Sequence, residues 1–145
     1  MATTTKLAAG ATLTAVYGAL NVVAITTTLG CSVFERVVPQ GSRPPYLRVS
    51  TPSGVTWDTF GKAGKDRIVQ VHVFGSTRDY ESQTQVNSIC DKVVELLQHQ
   101  AITVSGHTLC SLAYENDTDG ADEEVLGEQI VHRVISFRAH MQEAA

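Results

Sequence analysis

The chain is 145 residues long, with 43% hydrophobic and 18% charged residues. This length and composition predict one folded domain, 1–145, and exclude a disordered chain, because the apolar content suffices for a core without a disulfide or a metal. The net charge of −4 argues against sequence-specific nucleic-acid binding, which favours a basic surface. Residues 1–7 and 141–145 are expected to form flexible ends.

The first element is predicted within a run of small and apolar residues near the N-terminus. Its larger side chains recur at helical spacing, which predicts a helix over about 8–24 with one face on the core. The run is too polar for a membrane span, so no membrane partner is expected. A signal peptide is the alternative, which the single lysine and the interspersed threonines disfavour. The stripe consists of Leu13, Val16, Tyr17, Leu20, Val23 and Ala24.

A proline-rich connection separates the next two predicted strands, 33–38 and 46–51. It holds three of the four prolines of the chain, Pro39, Pro44 and Pro45. Because proline fixes φ and lacks an N–H, this connection cannot be the middle of a helix or of a central strand. We expect a semi-rigid link that holds the second strand at a fixed angle, so that the flanking surface can dock.

A loop is predicted over 52–66, where a proline and three glycines interrupt the strand pattern. Trp57 and Phe60 lie in this loop. Large aromatic side chains on surface loops often anchor contacts with another protein. The alternative is that both side chains fold back as a lid on the core. Charged residues of the same loop complete this part of the predicted interface: Asp58, Lys62 and Lys65.

The remaining elements complete an α+β pattern. Residues 67–74 alternate strictly, which predicts a strand with its valines on the core face and a mixed, partly exposed second face. An apolar stripe at helical spacing predicts a helix over about 78–98. Strands near 107–115 and 128–140 flank an acidic loop, 116–127. The predicted fold is α+β, with one mostly antiparallel sheet and two helices packed on one face.

No residue of the sequence is predicted to be catalytic, to bind a cofactor or to bind a metal. No nucleophile elbow, Walker loop or dinucleotide fingerprint occurs, and the glycine of Asp117-Thr118-Asp119-Gly120 comes too early for a calcium loop. His72 and His132 lie on predicted strands and could share a face, but they lack a supporting ligand. Three widely spaced cysteines are interpreted as buried, reduced thiols. No enzyme activity and no cofactor are therefore predicted.

Charge is distributed unevenly along the chain. Residues 1–75 hold seven Lys/Arg and three Asp/Glu, whereas residues 76–145 hold four Lys/Arg and twelve Asp/Glu. Surfaces of opposite sign on one subunit suit head-to-tail contact between identical copies. We therefore expect the acidic loop to meet basic residues of a neighbour or partner. The acidic side is Asp117, Asp119, Asp122, Glu123 and Glu124, and the basic side is Arg43, Lys62 and Lys65.

Several segments occur in an order that is typical of a known family. They are the N-terminal helix, the P-Q-G element at 39–41 with P-Y-L-R-V at 45–49, Asp58, the R-I-V-Q-V-H-V-F strand at 67–74, and R-V-I-S-F-R at 133–138. Together, over about 10–140, they resemble the tail-terminator, or tail-completion, proteins of long-tailed bacteriophages and gene-transfer particles.

The resemblance implies a structural role in the virion tail or neck, after assembly in the host cytoplasm. Proteins of this family look like α+β domains that form a homohexameric ring on the finished tail tube. The ring stops tube growth and offers a joining surface to the head–tail connector. Its partners would be copies of itself, the tail tube protein and the connector, and the family supplies no catalytic residue.

Three alternatives remain open at this point. A head-side neck or head-closure protein would use the same features. A non-viral adaptor would use Trp57 and Phe60 against a cellular partner. A small metal-dependent hydrolase would use His72 and His132.

Overall fold

The computed structural model describes residues 7–58, 63–76, 80–120, 123–125 and 128–143. Short helices precede the first strand, and one long helix follows the third strand. The elements are α1 (Ala9–Leu20), α2 (Val23–Thr26), β1 (Ser32–Glu35), β2 (Tyr46–Thr56), β3 (Gly64–Ser76), α3 (Tyr80–Leu97), β4 (His107–Asp119), β5 (Glu123–Val125) and β6 (Glu128–Glu143).

The strands form one sheet in the order β1-β2-β3-β6-β4, and β5 pairs with the start of β6. β1 and β2 run parallel, whereas β2–β3, β3–β6, β4–β6 and β5–β6 are antiparallel. The α+β prediction is confirmed. The sheet is mixed rather than mostly antiparallel, and the described helices are three rather than two, because a four-residue turn of helix, α2, follows α1.

All three described helices contribute to one apolar cluster on one face of the sheet. The valines of β3 point into it, as their alternation predicts, and Val69, Val71 and Val73 are fully buried. β6 adds Phe137, which is also fully buried. At Gly75 a Cβ would overlap the side chain of Val86, so the absence of a side chain there lets α3 approach β3 closely.

The proline-rich connection is a crossover between two parallel strands. Such strands cannot be joined by a tight hairpin, so the chain must return to the starting end of the sheet. Residues 36–45 do this without a helix, over the face that the helices leave open. Val38 packs there against a second small cluster of Tyr46, Phe74 and Ile130. The Pro44–Pro45 peptide bond in this segment is cis.

Some predicted boundaries were wrong. α1 ends at Leu20, before the predicted limit at 24. β2 continues through Pro52 and Gly54 to Thr56, and β3 already begins at Gly64, so about half of the predicted loop is strand. The register shifts between Ser50 and Ser53, and this bulge takes Pro52 out of the hydrogen-bonded ladder.

The predicted ends of the last two strands also need correction. β4 runs to Asp119, so the first residues of the predicted acidic loop belong to a strand. β6 runs to Glu143, although 141–143 had been assigned to a flexible end, and Met141 is fully buried. Residues 1–6 and 144–145 of the predicted flexible ends lie outside the described residues.

Two of the three cysteines behave as predicted. Cys31 and Cys90 are buried, whereas Cys110 on β4 is exposed, so the prediction of a buried thiol was wrong there. Burial raises the pKa of Cys31 to about 12, which keeps its thiol neutral. None of the described helices combines the length and the apolar character needed to cross a membrane.

Candidate interaction surfaces

The end of β4 forms an acidic edge of the sheet, defined here as Glu115, Asp117 and Asp119. All three residues are exposed. In the β4–β6 ladder, Asp117 lies opposite Ile135 and Asp119 opposite Arg133. Two residues of the predicted interface therefore lie side by side on an outer strand, where another molecule can reach them.

Each carboxylate of the acidic edge already has a partner within the chain. Asp119 accepts a hydrogen bond from Arg133 Nε at 3.2 Å, and Glu115 accepts one from Arg138 Nε at 2.6 Å. The Tyr114 hydroxyl donates to Asp117, and this bond raises the pKa of Tyr114. Exposed pairs of this kind contribute roughly 0–1 kcal/mol each, so a competing partner can replace them.

A groove of about 260 Å³ lies between α3 and the acidic edge. Val94 and the buried Ile135 give it apolar walls, and Asp91 and Asp117 are exposed acidic groups beside them. Tyr114 closes one side and is 37% exposed. The α3–β4 groove, as we call it, is lined by Cys90, Asp91, Val94, Tyr114, Asp117, Arg133 and Ile135.

Sequence reasoning missed this groove, although part of the signal was present. Val94 and Asp91 lie one turn apart on α3, beside the apolar stripe that predicts the helix. What the sequence does not reveal is which strand lies under that flank of the helix. The pairing of β4 with β6 decides this, and it joins residues that lie 14 to 36 positions apart in the sequence.

Trp57 folds back onto the open face of the sheet and not onto the helix-covered core. Its ring stacks on His140, with the ring centres 4.2 Å apart and the planes at 11°. The backbone N–H of Trp57 donates to the Gly64 carbonyl, and the backbone N–H of Gly64 donates to Asp58 Oδ1 at 3.1 Å. Trp57 and Asp58 therefore close the loop onto the start of β3, and Phe60 lies outside the described residues.

The predicted basic residues are separated in the structure. Arg43 is exposed in the crossover segment, whereas Lys65 on β3 is only 6% exposed and points to the helix-covered side of the sheet. Burial leaves Lys65 little surface for a partner. Arg36, which was not selected from the sequence, is exposed in the same segment as Arg43. Lys62 and Asp122 lie outside the described residues, and for Glu123 and Glu124 only the backbone is described, as part of β5.

His72 and His132 share the open face of the sheet, as the sequence suggests. Their ring nitrogens, Nδ1 of His72 and Nε2 of His132, are hydrogen-bonded at 2.8 Å. Burial, then the nearby charge of Arg48, then His132 lower the pKa of His72 to about 4. Among the described residues no three His, Cys, Asp or Glu side chains come close enough to hold a metal ion. The two side chains form a hydrogen-bonded contact between β3 and β6.

Comparison with known proteins relates this chain and its fold to proteins of phage-like particles. Residues 6–142 match the family model described as tail completion protein gp17. Among solved structures, a chain of the virion of a native gene transfer agent (GTA) particle superposes with a TM-score of 0.78 at 18% identity. The match covers 96% of this chain and 99% of that chain. A search of curated proteins finds no match.

The family match defines the class of protein, a structural protein of a virion tail. The family model spans nearly the whole chain, and so the chain belongs to the family of tail completion proteins. The structural neighbour, at 18% identity, shows that the fold is shared with a protein of an assembled particle.

Proposed function

We propose that this protein caps the finished tail tube as a ring of six copies and offers the joining surface for the head–tail connector. The observation that supports a ring is that the two edges of the sheet carry opposite charges. The segment that leaves β1 carries exposed Arg36 and Arg43, and β4 carries the acidic edge. A surface that differs from its partner surface propagates around a ring, whereas a self-complementary one stops at a dimer.

The two outer strands also lie at the same height across the sheet. Following the ladders, Glu35 of β1 pairs with Val49, Val49 with Val71, Val71 with Ile135, and Ile135 with Asp117 of β4. Copies placed side by side can therefore meet edge to edge without shifting along the strands. That geometry suits a closed ring around a tube.

Charge then sets the expected response to salt. If the acidic edge meets Arg36 and Arg43 of the neighbour, assembly weakens steeply between low and high salt, because exposed charges are screened over about 10 Å at 0.1 M ionic strength. Lys65 is left out of this contact because it is buried. Sedimentation at several salt concentrations measures the effect. Assembly that is independent of salt removes the charged contact from the proposal.

Electron microscopy of particles from the source with this gene deleted tests the function itself. Filled heads lying apart from tails of irregular or excess length are the expected result. Tails of normal length beside unjoined or leaking heads would instead assign the protein to the head side of the neck. Particles indistinguishable from those of the parent would overturn the proposal.

A further inference from the structure

We propose that the crossover segment of one copy docks into the α3–β4 groove of the next copy, with Val37 inserted between Val94 and Tyr114. This inference rests on the ring proposed above and names the two surfaces that meet. The partner is a second copy of this chain, because one molecule carries both halves of a complementary contact.

The crossover segment presents an apolar side chain between positive charges. Val37 is 70% exposed, although valine is usually buried in a folded protein. Arg36 has a φ of 60°, and this left-handed turn ends β1 just before Val37. In the part of the chain that the structure describes, neither Arg36 nor Arg43 forms an ion pair. Whereas Val38 of the segment packs on the sheet, Val37 is left largely exposed, and the two arginines have no ion-pair partner among the described residues.

The α3–β4 groove offers the matching surface. Its volume of about 260 Å³ is below the range of pockets for drug-sized ligands, roughly 300–1,000 Å³, and suits a single branched side chain. Val94 and Ile135 supply apolar contacts for Val37. Asp91 and Asp117 lie exposed beside them, where they can receive the two arginines. Apolar and charged groups are therefore complementary at the same place.

The position of the two surfaces rules out contact within one molecule. β1 and β4 are the two ends of the strand order, separated by four strand spacings, or about 19 Å. Val37 follows β1, and Tyr114 lies on β4. Only another copy can bring them together, and each copy then uses one surface on each side. Repetition of this contact gives a closed ring when the rotation between neighbours is a whole fraction of a turn, which is one sixth of a turn in the proposed ring.

Two charge-changing variants test the contact, one on each surface. Val37→Asp puts a carboxylate against Asp91 and Asp117 of the neighbour, and Asp91→Lys puts a cation against Arg36 and Arg43. Both sites are exposed, and unchanged far-UV circular dichroism checks that each variant folds. Each alone should lower the assembled fraction at least about tenfold, through like-charge repulsion. Val55→Asp, at a 61% exposed valine of β2, is the matched control and should assemble like the parent.

Mixing the two variants gives the decisive readout. In an alternating ring, every Val37→Asp segment faces an Asp91→Lys groove, and every remaining contact is that of the parent. The mixture should therefore assemble to at least half the extent of the parent. Assembly is measured by light scattering on purified protein and by counting capped tails after complementation of the deleted gene with both variants.

The outcomes separate this inference from the proposed function. Folded single variants that assemble normally, or a mixture that stays unassembled, overturn the docking contact while the tail-capping role stands. Rescue by mixing in purified protein, together with normal particles from the deletion, supports the contact and overturns the role. A parent protein that assembles in neither setting overturns the contact.

Discussion

The two faces of the central sheet are built from alternate residues of the same strands, yet they differ in character. The helix-covered face is apolar, with Val71, Ile135 and Phe137 buried in one cluster. The open face carries the hydrogen-bonded His72 and His132. No described helix covers it, but the crossover segment packs on one end and Trp57 stacks on the other.

This difference shows that the two faces of the sheet contribute unequally to stability. The helix-covered face supplies most of the apolar burial, which is the dominant favourable term in folding. Apart from the small cluster of Tyr46, Phe74 and Ile130, the open face is held by hydrogen bonds, ring stacking and ion pairs, each of which contributes less. Substitutions should therefore cost most on the first face and progressively less on the second.

The largest effect is expected at Phe137 on the helix-covered face. Phe137→Ala removes a fully buried ring, and the cavity should lower the free energy of unfolding by about 3–5 kcal/mol. Val134→Ala, three residues away on the open face and only partly buried, is the control and should cost less than about 1.5 kcal/mol. Urea unfolding followed by circular dichroism measures both. Equal losses would contradict the division between the faces.

Acid should weaken the open face through His72. Its pKa falls from 6.5 to about 4 in the folded protein, so the unfolded chain binds the extra proton first. The part of the unfolding free energy that depends on neutral His72 is fully present above pH 6.5 and is lost as the pH falls to about 4. The loss amounts to roughly 2–3 kcal/mol. Unfolding free energies measured across this window check the sign.

Two variants test whether His72 is the source of this pH dependence. His72→Gln should flatten the loss of stability between pH 6.5 and about 4. His99→Asn is the matched control, because His99 is exposed and has a φ of 56°, which asparagine tolerates. An unchanged slope in His72→Gln would mean that other groups bind the protons.

A smaller effect is expected where Trp57 covers the open face. A Cβ on Gly64 would overlap the indole, so Gly64→Ala must displace the ring from His140 at a cost of about 1–3 kcal/mol. Trp57 is the single tryptophan of the chain, so its fluorescence should shift to longer wavelength. Gly18→Ala, in α1 with open space around it, should leave the emission unchanged. An unshifted spectrum in Gly64→Ala would place the ring elsewhere.

The smallest effect is expected from the ion pairs at the rim of the open face. Arg138→Ala removes the bonds to Glu115 and Asp66, and it should lower stability less than any change above, because the side chain is 47% exposed. Urea unfolding in low and high salt measures the effect. A loss as large as that of Gly64→Ala would show that Arg138 supports the sheet more strongly than an exposed pair does.

Local pattern predicted those parts of the fold whose periodicity is uninterrupted. The alternation of 67–74 and the helical stripe of α3 were both confirmed, since a buried face imposes its period on the sequence. The ends of strands were predicted wrongly where pairing with a neighbouring strand extends a segment whose composition does not favour a strand. Acidic residues are uncommon in strands, yet β4 extends to Asp119 because β6 pairs with it, and Asp119 bonds to Arg133.

The candidate surfaces were only partly predictable for a related reason. Asp117 and Asp119 could be selected because a run of acidic residues is visible in the sequence. The burial of Lys65 could not be predicted, because the sequence does not show whether the stem of a lysine is buried or exposed. The α3–β4 groove depends on strand order, and no local pattern encodes which strand becomes the edge.

The position of β6 in the sheet also bears on the timing of synthesis. β6 is the last strand along the chain, yet it lies inside the sheet, between β3 and β4. While the ribosome is still making it, β4 has no partner, and one side of β3 is unpaired. A chain that stops short of β6 cannot complete its core, because Ile135, Phe137 and Met141 are missing from it. We therefore expect copies that end before β6 to remain unfolded.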